Sequence, residues 1–394
     1  MPGPVVYSPY AYEIHEDPYP TYKQLRDEAP AYYNADLDFH ALSRFADVLA
    51  AMQDWGTYSS SEGVSLEKAS GPRPPMIIAM DPPRQQKLRK LVSKAFTPRR
   101  VATMEPVIRA LTRKHLEPML ARGAGDFVQD FAAKLPMDVI STMMGVADAD
   151  QDMLREWADT LLHREEGKAE IPPAGLEASG KMVRYFAEDL GRRRKHAGDD
   201  LISALVDAEV DGERLTDMEI IGFCFLLVIA GNETTTKMLG NAMVQLERHP
   251  DQRAWLVEHP ERIADAVEET VRFDNSSQML ARVLTRDVEL HGTTMRAGRK
   301  VLLLIGSANR DERAIARPDE FDVRREQRPH LAFGNGIHVC LGASLARLEG
   351  RVALEEALPR MPGFEIDGSR LVRVHSANVR GYSHVPIKFA PGSW

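Results

Sequence analysis

The run from Thr216 to His249 constrains the fold of this chain more than any other segment. Thr216 and Glu219 form a T-x-x-E capping box, and a helical pattern then continues without proline until Pro250 stops it. At about 1.5 Å per residue the helix is on the order of 50 Å long, enough to cross the whole body of a domain. Its middle is apolar all round, with Ile220–Ala230 broken only by Gly222, so it reads as buried. Yet that buried middle carries Ala230, Gly231, Asn232, Glu233, Thr234, Thr235 and Thr236 in succession. Glycine costs about 1 kcal/mol relative to alanine inside a helix. Threonine hydroxyls compete for the preceding turn, and a buried carboxylate is costly unless paired. Local rules broken at one place in a well-formed helix mark either a functional site or a packing kink.

Composition narrows the setting. Of the 394 residues 43% are hydrophobic and 27% charged, which is ordinary for a globular protein, so disorder is excluded. The formal charge of −8 argues against a general nucleic-acid binder. The N-terminal stretch lacks a basic region followed by an apolar one, so it does not read as a signal peptide. The longest apolar run falls short of the ~18 residues of a membrane span. The expectation is a cytoplasmic protein without a membrane anchor. With only Cys224 and Cys340, neither a disulfide framework nor a structural zinc site is expected. Cys224 sits in an apolar run and reads as a buried small hydrophobe.

Helical periodicity dominates elsewhere. Helices are expected at Tyr19–Ala29, Arg84–Phe96, Met104–Leu120, Met137–Met144, Asp150–Leu162, Gly175–His196 and Ala343–Leu358. Short strands are expected at Phe39–Leu42, Arg282–Leu284, Val288–Leu290, Val301–Ile305, Leu371–Val374 and Val385–Phe389. The fold class is therefore mainly α with small β-sheets (α+β). Since no break is long enough to be a linker, 1–394 reads as a single domain.

Cys340 lies in Phe333-Gly334-Asn335-Gly336-Ile337-His338-Val339-Cys340-Leu341-Gly342. It sits in a glycine-rich loop just before a helix, where free N–H groups and the helix dipole favour a thiolate. Glycines also permit close approach of a flat ligand. The thiolate can serve as a nucleophile or as a metal ligand; a nucleophile wants a base, and His338 is two residues away. A buried cysteine in a glycine turn is the bland alternative.

This segment resembles the cytochrome P-450 signature F-x-x-G-x-H/R-x-C-x-G, with Phe333, Gly336, His338, Cys340 and Gly342 at every defined position. Ala230 to Thr235 resembles that family's A/G-G-x-D/E-T-T/S oxygen-activation motif. Glu269 to Arg272 matches its E-x-x-R, Asn309-Arg310-Asp311 its N-R-D, and Asp81-Pro82-Pro83 with Leu88-Arg89 its D-P-P…L-R stretch. The five occur in the family's order, and the resemblance spans roughly Tyr19 to Phe389.

The resemblance implies a triangular, helix-rich body with the long helix over a haem b and a smaller β-rich region. It makes Cys340 the axial iron ligand, a thiolate that favours O–O cleavage. Phe333 is expected beside the sulfur, and Gly334, Gly336, Gly342, Ala230 and Gly231 against the haem. Propionate contacts fall to His338, Arg282, Arg89 and His330, while Gln85 stands where many relatives have a histidine. Glu233 and Thr234 are expected to relay protons, and Gly231 to let the helix open for dioxygen. The Glu269–Arg272 pair is expected to be structural.

The implied reaction is O2-dependent hydroxylation of a small or medium apolar molecule (a fatty acid, terpenoid, steroid or aromatic) by a monomer. No flavin, nicotinamide or iron–sulfur pattern is present, so electrons are expected from a ferredoxin and its reductase. Lys87, Lys90, Lys94, Arg99 and Arg100 form a basic stretch for that partner or a merely solvated face. A peroxide-using haem enzyme usually lacks the acid–threonine pair. A non-catalytic haem sensor needs no proton relay, and a Cys–His hydrolase predicts no haem. Met76, Ile77, Ile78, Phe223, Leu227, Met279 and Leu280 suggest an apolar pocket, and Glu165–Pro173 a lid.

Overall fold

The central helix forms as its cap predicts. In the computed structural model it spans Asp217–Arg248, and Thr216 Oγ1 accepts from the Glu219 N–H while the Glu219 carboxylate accepts from the Thr216 N–H at 2.9 Å. The structure describes residues 5–390 except 68–73, 94, 95, 164, 166, 167, 169, 197, 211, 327, 328 and 362. Among the described residues this is the one helix long and apolar enough to cross a membrane, but its apolar surface is mostly buried inside the protein. Leu135–Met144, Asp148–Leu162, Pro173–Arg193, Ile263–Phe273 and Ala343–Ala357 all pack against it. The main hydrophobic core forms around it, from Leu88 at one end to Phe389 at the other.

The sheets are small and stand to one side. The largest has five strands in the order Ala31–Asn34, Phe39–Leu42, Lys300–Leu303, Leu280–Leu284, Tyr58–Ser59. It is antiparallel except where Lys300–Leu303 runs beside Phe39–Leu42. A three-stranded sheet joins Ala124–Asp126, Glu365–Ile366 and Pro386–Lys388. Mainly α with small sheets is thus what the chain forms, and the expected helices are present within a few residues of their limits. Sequence periodicity missed the helix Phe45–Gln53 and the wide-turned segment Phe127–Ala132. Val301–Ile305 was too long for a strand, because Ile305 already opens a short helix to Ala308. The expected lid, Glu165–Pro173, falls partly on residues outside those described.

Two ionic knots tie the helix Ile263–Phe273 to segments further along the chain. Glu269 and Arg272 are both 0% exposed and paired at 2.8 Å. Arg272 also donates to the carbonyls of Asn309, Pro318 and Glu320. Glu269 accepts from the Asp322 N–H and lies 3.3 Å from Arg325. Every charge is answered and every donor directed, as burial of an ion pair demands. Asn309 carries the restraint onward, its side-chain oxygen accepting from the Leu331 N–H at 2.7 Å, just before the cysteine loop. The second knot uses the neighbouring Glu268, which binds both His330 and Arg347.

Glu349, on the helix Ala343–Ala357, is a different kind of buried acid. It is 1% exposed, its Oε2 has no partner, and burial pushes its pKa up to about 8.

Arg272→Ala is expected to destabilise the protein by about 3–5 kcal/mol, because it strands a buried carboxylate; urea unfolding showing a loss below about 1 kcal/mol would contradict the knot. Glu349 is held neutral in the fold and ionises freely once unfolded. Stability is therefore expected to be full below about pH 4.5 and to fall by about 1.4 kcal/mol per unit as pH rises towards 8. Glu349→Gln is expected to flatten that part of the stability–pH curve.

Candidate functional site

The cysteine loop is shaped by two glycines with left-handed backbone, Gly334 at φ 70° and Gly336 at φ 68°. A Cβ on Gly336 would stand 2.5 Å from the Met52 carbonyl oxygen, so the loop can seat on the helix Phe45–Gln53 only with glycine there. The turn is closed by the Cys340 N–H donating to the Phe333 carbonyl at 2.7 Å. Gly342 lies at the head of the helix Ala343–Ala357, and a Cβ there would meet no protein atom within 4 Å. No protein neighbour requires glycine at that position; a flat group lying on the loop would. Phe333 packs beneath the Arg347 guanidinium, 4.2 Å from its ring centre.

Cys340 remains accessible, whereas Cys224 is buried and pushed up to about 12 by that burial. The N–H groups of Gly342 and Ala343 and the charges of Arg89 and Arg347 all favour a Cys340 thiolate, but the protein enclosing the sulfur outweighs them, and its pKa is raised. The position just before the helix favours the thiolate as expected, through the N–H groups of Gly342 and Ala343, and burial works against it. A Lewis acid at the sulfur would reverse the balance, since a coordinated thiol is deprotonated outright. A free nucleophile gains no such help, and no contact joins His338 to Cys340.

Two arginines and a histidine gather beside the loop. Arg282 is 3% exposed, and the hydrogen bond its side chain makes is to its own neighbour, the Ala281 carbonyl, at 2.8 Å. Burial pushes it down to about 10, with Asp81 opposing. His338 is driven down to about 4 by burial first and then by Arg282, with Arg89 adding to the effect. Its Nε2 is buried without a partner. Arg89 is likewise lowered by burial. Two poorly paired arginines, beside a histidine they keep neutral, suit an anionic group with two carboxylates.

Above the loop's helix, the central helix breaks its own burial. Leu227, Ala230, Gly231 and Thr234 keep accessible surface while their neighbours Val228, Asn232, Glu233 and Thr235 are buried. These four fall at i, i+3, i+4 and i+7, one stripe of a helix. Gly222, two turns earlier, seats the Pro75 carbonyl: a Cβ there would lie 2.2 Å from that oxygen. The glycine thereby lets Pro75 close on the helix, and Met76 and Ile77 next to it pack against the same core. Thr234 Oγ1 donates to the Ala230 carbonyl at 2.8 Å. Glu233 forms an ion pair with Lys237 at 3.0 Å, a partner at i+4 that the sequence reading overlooked.

Several expected contacts differ. His330 has both ring nitrogens engaged, Nε2 with Glu268 at 3.0 Å and Nδ1 accepting from the Ala332 N–H at 3.2 Å. It braces the loop rather than joining Arg282, Arg89 and His338. Gln85 donates to the Ile337 carbonyl at 2.8 Å, so its amide holds the loop and is not aimed at a carboxylate ligand. Gly231 is explained by packing, since a Cβ would come within 2.3 Å of Ile140 Cδ1. In the basic stretch Lys87 is taken up by Glu213 at 2.6 Å, Lys90, Arg99 and Arg100 are exposed, and Lys94 lies outside the described residues.

An accessible cysteine with N–H groups on its sulfur, a glycine-lined seat, two poorly paired arginines with a neutral histidine beside them and an uncovered stripe on a core helix fit a haem with its two propionates. Together with the fold they define a haem-thiolate oxygenase. A family model for cytochrome P-450 matches residues 177–362. The chain is 48% identical over 388 residues to cytochrome P-450 123 of Mycobacterium tuberculosis, covering 97% of this chain and 96% of the relative. It is 37% identical to the vitamin D(3) 25-hydroxylase of Pseudonocardia autotrophica, over 96% of this chain and 95% of the other. The crystal structure of CYP109E1 from Bacillus megaterium in complex with testosterone superposes with a TM-score of 0.89 at 30% identity, covering 96% and 99% of the two chains. The chain belongs to the cytochrome P-450 family and is a haem-dependent monooxygenase.

Cys340→Ser is expected to abolish the far-red Soret band of the reduced carbon monoxide complex. Cys224→Ser is expected to leave that band in place; loss of it in Cys224→Ser instead would reassign the ligand.

Proposed function

We propose that this monooxygenase hydroxylates an apolar molecule of steroid or secosteroid size, with haem b held by Cys340 and electrons delivered by a ferredoxin and its reductase. The observation that carries the reading is the accessible stripe Leu227, Ala230, Gly231, Thr234 in the middle of the central helix, with Met76 and Ile77 packed on the same core. The relatives that act on vitamin D3 or bind testosterone support the size class.

Bound haem supplies the iron at which dioxygen is activated. Cys340 would hold the iron through its sulfur, and the Gly342 and Ala343 N–H groups would temper the charge on that sulfur. His338, Arg282 and Arg89 bind the propionates, which would lift the depressed basicity of His338 and Arg282 by supplying the negative charge they lack. Phe333, Gly334, Gly336 and Gly342 form the seat, and Ala230 and Gly231 the opposite wall. Thr234 Oγ1, which in this structure donates to the Ala230 carbonyl, would release that bond to hand on its proton, and Glu233 would replenish it. The apolar side chains orient the substrate and exclude water. Lys90, Arg99 and Arg100 remain exposed for an acidic ferredoxin. The protein works as one domain, a cytoplasmic monomer.

The test is a spectral titration of the purified holoenzyme with testosterone, vitamin D3 and a long-chain fatty acid. A low- to high-spin shift with the first two and O2-dependent hydroxylated product with ferredoxin are expected. A shift with the fatty acid alone would overturn the substrate class, and product formed only with added peroxide would overturn the reaction type.

A further inference from the structure

Phe333 opens the cysteine loop, and its ring is flanked by two side chains. The Arg347 guanidinium carbon lies 4.2 Å from the ring centre, and the His330 ring lies 6.0 Å away, tilted by 55°. Both neighbours bind one acid. Arg347 Nε and Nη2 donate to the two oxygens of Glu268 at 2.5 and 3.1 Å. His330 Nδ1 accepts from the Ala332 N–H, so its hydrogen is on Nε2, which donates to Glu268 at 3.0 Å. Burial would raise the Glu268 carboxyl, but the hydrogen bonds from His330 and Arg347 overcome it and hold the group down at about 2. Arg347 and Glu268 are thus a full ion pair beside the loop.

The backbone brings this pair to the cysteine. Arg347 is the fifth residue of the helix Ala343–Ala357, whose first turn follows closely on Cys340. Helical side chains lean towards the N-terminus, so Arg347 reaches back over that turn. The ring it covers belongs to the residue whose carbonyl accepts from the Cys340 N–H at 2.7 Å. A two-pronged guanidinium–carboxylate contact prescribes one plane, which gives the charge a fixed place. Burial is the first influence on the Cys340 thiol and raises it; the Gly342 N–H, Arg89 and Arg347 oppose it in that order.

We propose that Arg347 and Glu268 are a positioning pair that sets the reduction potential of the iron held by Cys340, with Arg347 presenting positive charge to the thiolate beside Phe333 and Glu268 limiting it. The inference rests on the reading of Cys340 as the iron ligand. One electron from the ferredoxin adds one negative charge at the iron and its sulfur, and no bond forms or breaks. A cation near the sulfur favours the reduced form and raises the potential; an anion bound to that cation lowers it again. Both residues act through Cys340 and Phe333, and neither touches substrate.

The test is a redox titration of the holoenzyme, together with the C–O stretch of its reduced carbon monoxide complex, on wild type, Arg347→Met, Arg347→Lys and Glu268→Gln. Arg347→Met keeps an apolar stem over Phe333 and removes the charge. Its potential and its C–O stretch are expected to fall, because a thiolate relieved of the cation donates more electron density to the iron. Glu268→Gln leaves the guanidinium uncompensated, and both quantities are expected to rise. Arg347→Lys keeps the charge and loses the planar contact, and its potential is expected to stay near wild type; a fall as large as in Arg347→Met overturns the proposal. A brace with no electrostatic role moves Arg347→Met and Glu268→Gln in the same direction or not at all, and either result also overturns it. Should Arg347→Met not load haem, Glu268→Gln decides alone, since glutamine keeps an oxygen for His330 and Arg347, and no rise in its potential sinks the idea. The Cys340 reading fails separately, if the wild-type carbon monoxide complex lacks the far-red Soret band.

Discussion

The ionic knot at Glu269 and Arg272 is the interaction on which the site depends. Neither residue reaches the cysteine, yet Arg272 fixes the carbonyls of Asn309, Pro318 and Glu320, and Asn309 fixes Leu331 at the entrance to the loop. Glu268, one position earlier on the same helix, reaches the other side of the loop through His330 and Arg347. Arg347 in turn covers Phe333, whose carbonyl accepts from the Cys340 N–H. Two adjacent acids on one helix thereby hold the loop from both ends. A segment with so few regular hydrogen bonds of its own keeps one conformation because charged neighbours prescribe it.

Electrostatics around the loop are unbalanced in a consistent direction. Cations outnumber their partners beside His338, Arg282 and Arg89, while the cysteine sulfur is discouraged from ionising. Each imbalance is the complement of one part of the haem, two carboxylates for the cations and a metal for the sulfur. The distal side differs, since Glu233 already has its counter-charge from the protein. The charges beside the loop and the charge on the central helix are thus balanced in different ways.

Much of this was legible in the chain itself. The capping box set the start of the central helix, and the break in its composition at Ala230 to Thr236 marked the stripe that the fold leaves accessible. The loop around Cys340 could be read from its glycines, since positive φ and the contact with Met52 leave no other residue. What escaped were relations between distant segments. Gly231 looked like an opening for dioxygen because nothing in the sequence places Ile140 beside it. His330 looked like a propionate contact because Glu268 lies 62 positions away. Lys237 was within reach of periodic reasoning as the i+4 partner of Glu233.

Gln85 adds a consequence through its single hydrogen bond to the Ile337 carbonyl. The helix Arg84–Ser93 carries Arg89, and the loop carries Cys340, so the tether joins a carboxylate-binding element to the iron-binding one. The distance between the two anchor points is then a property of the polypeptide before any prosthetic group arrives, and loading becomes insertion into a gauge of set width.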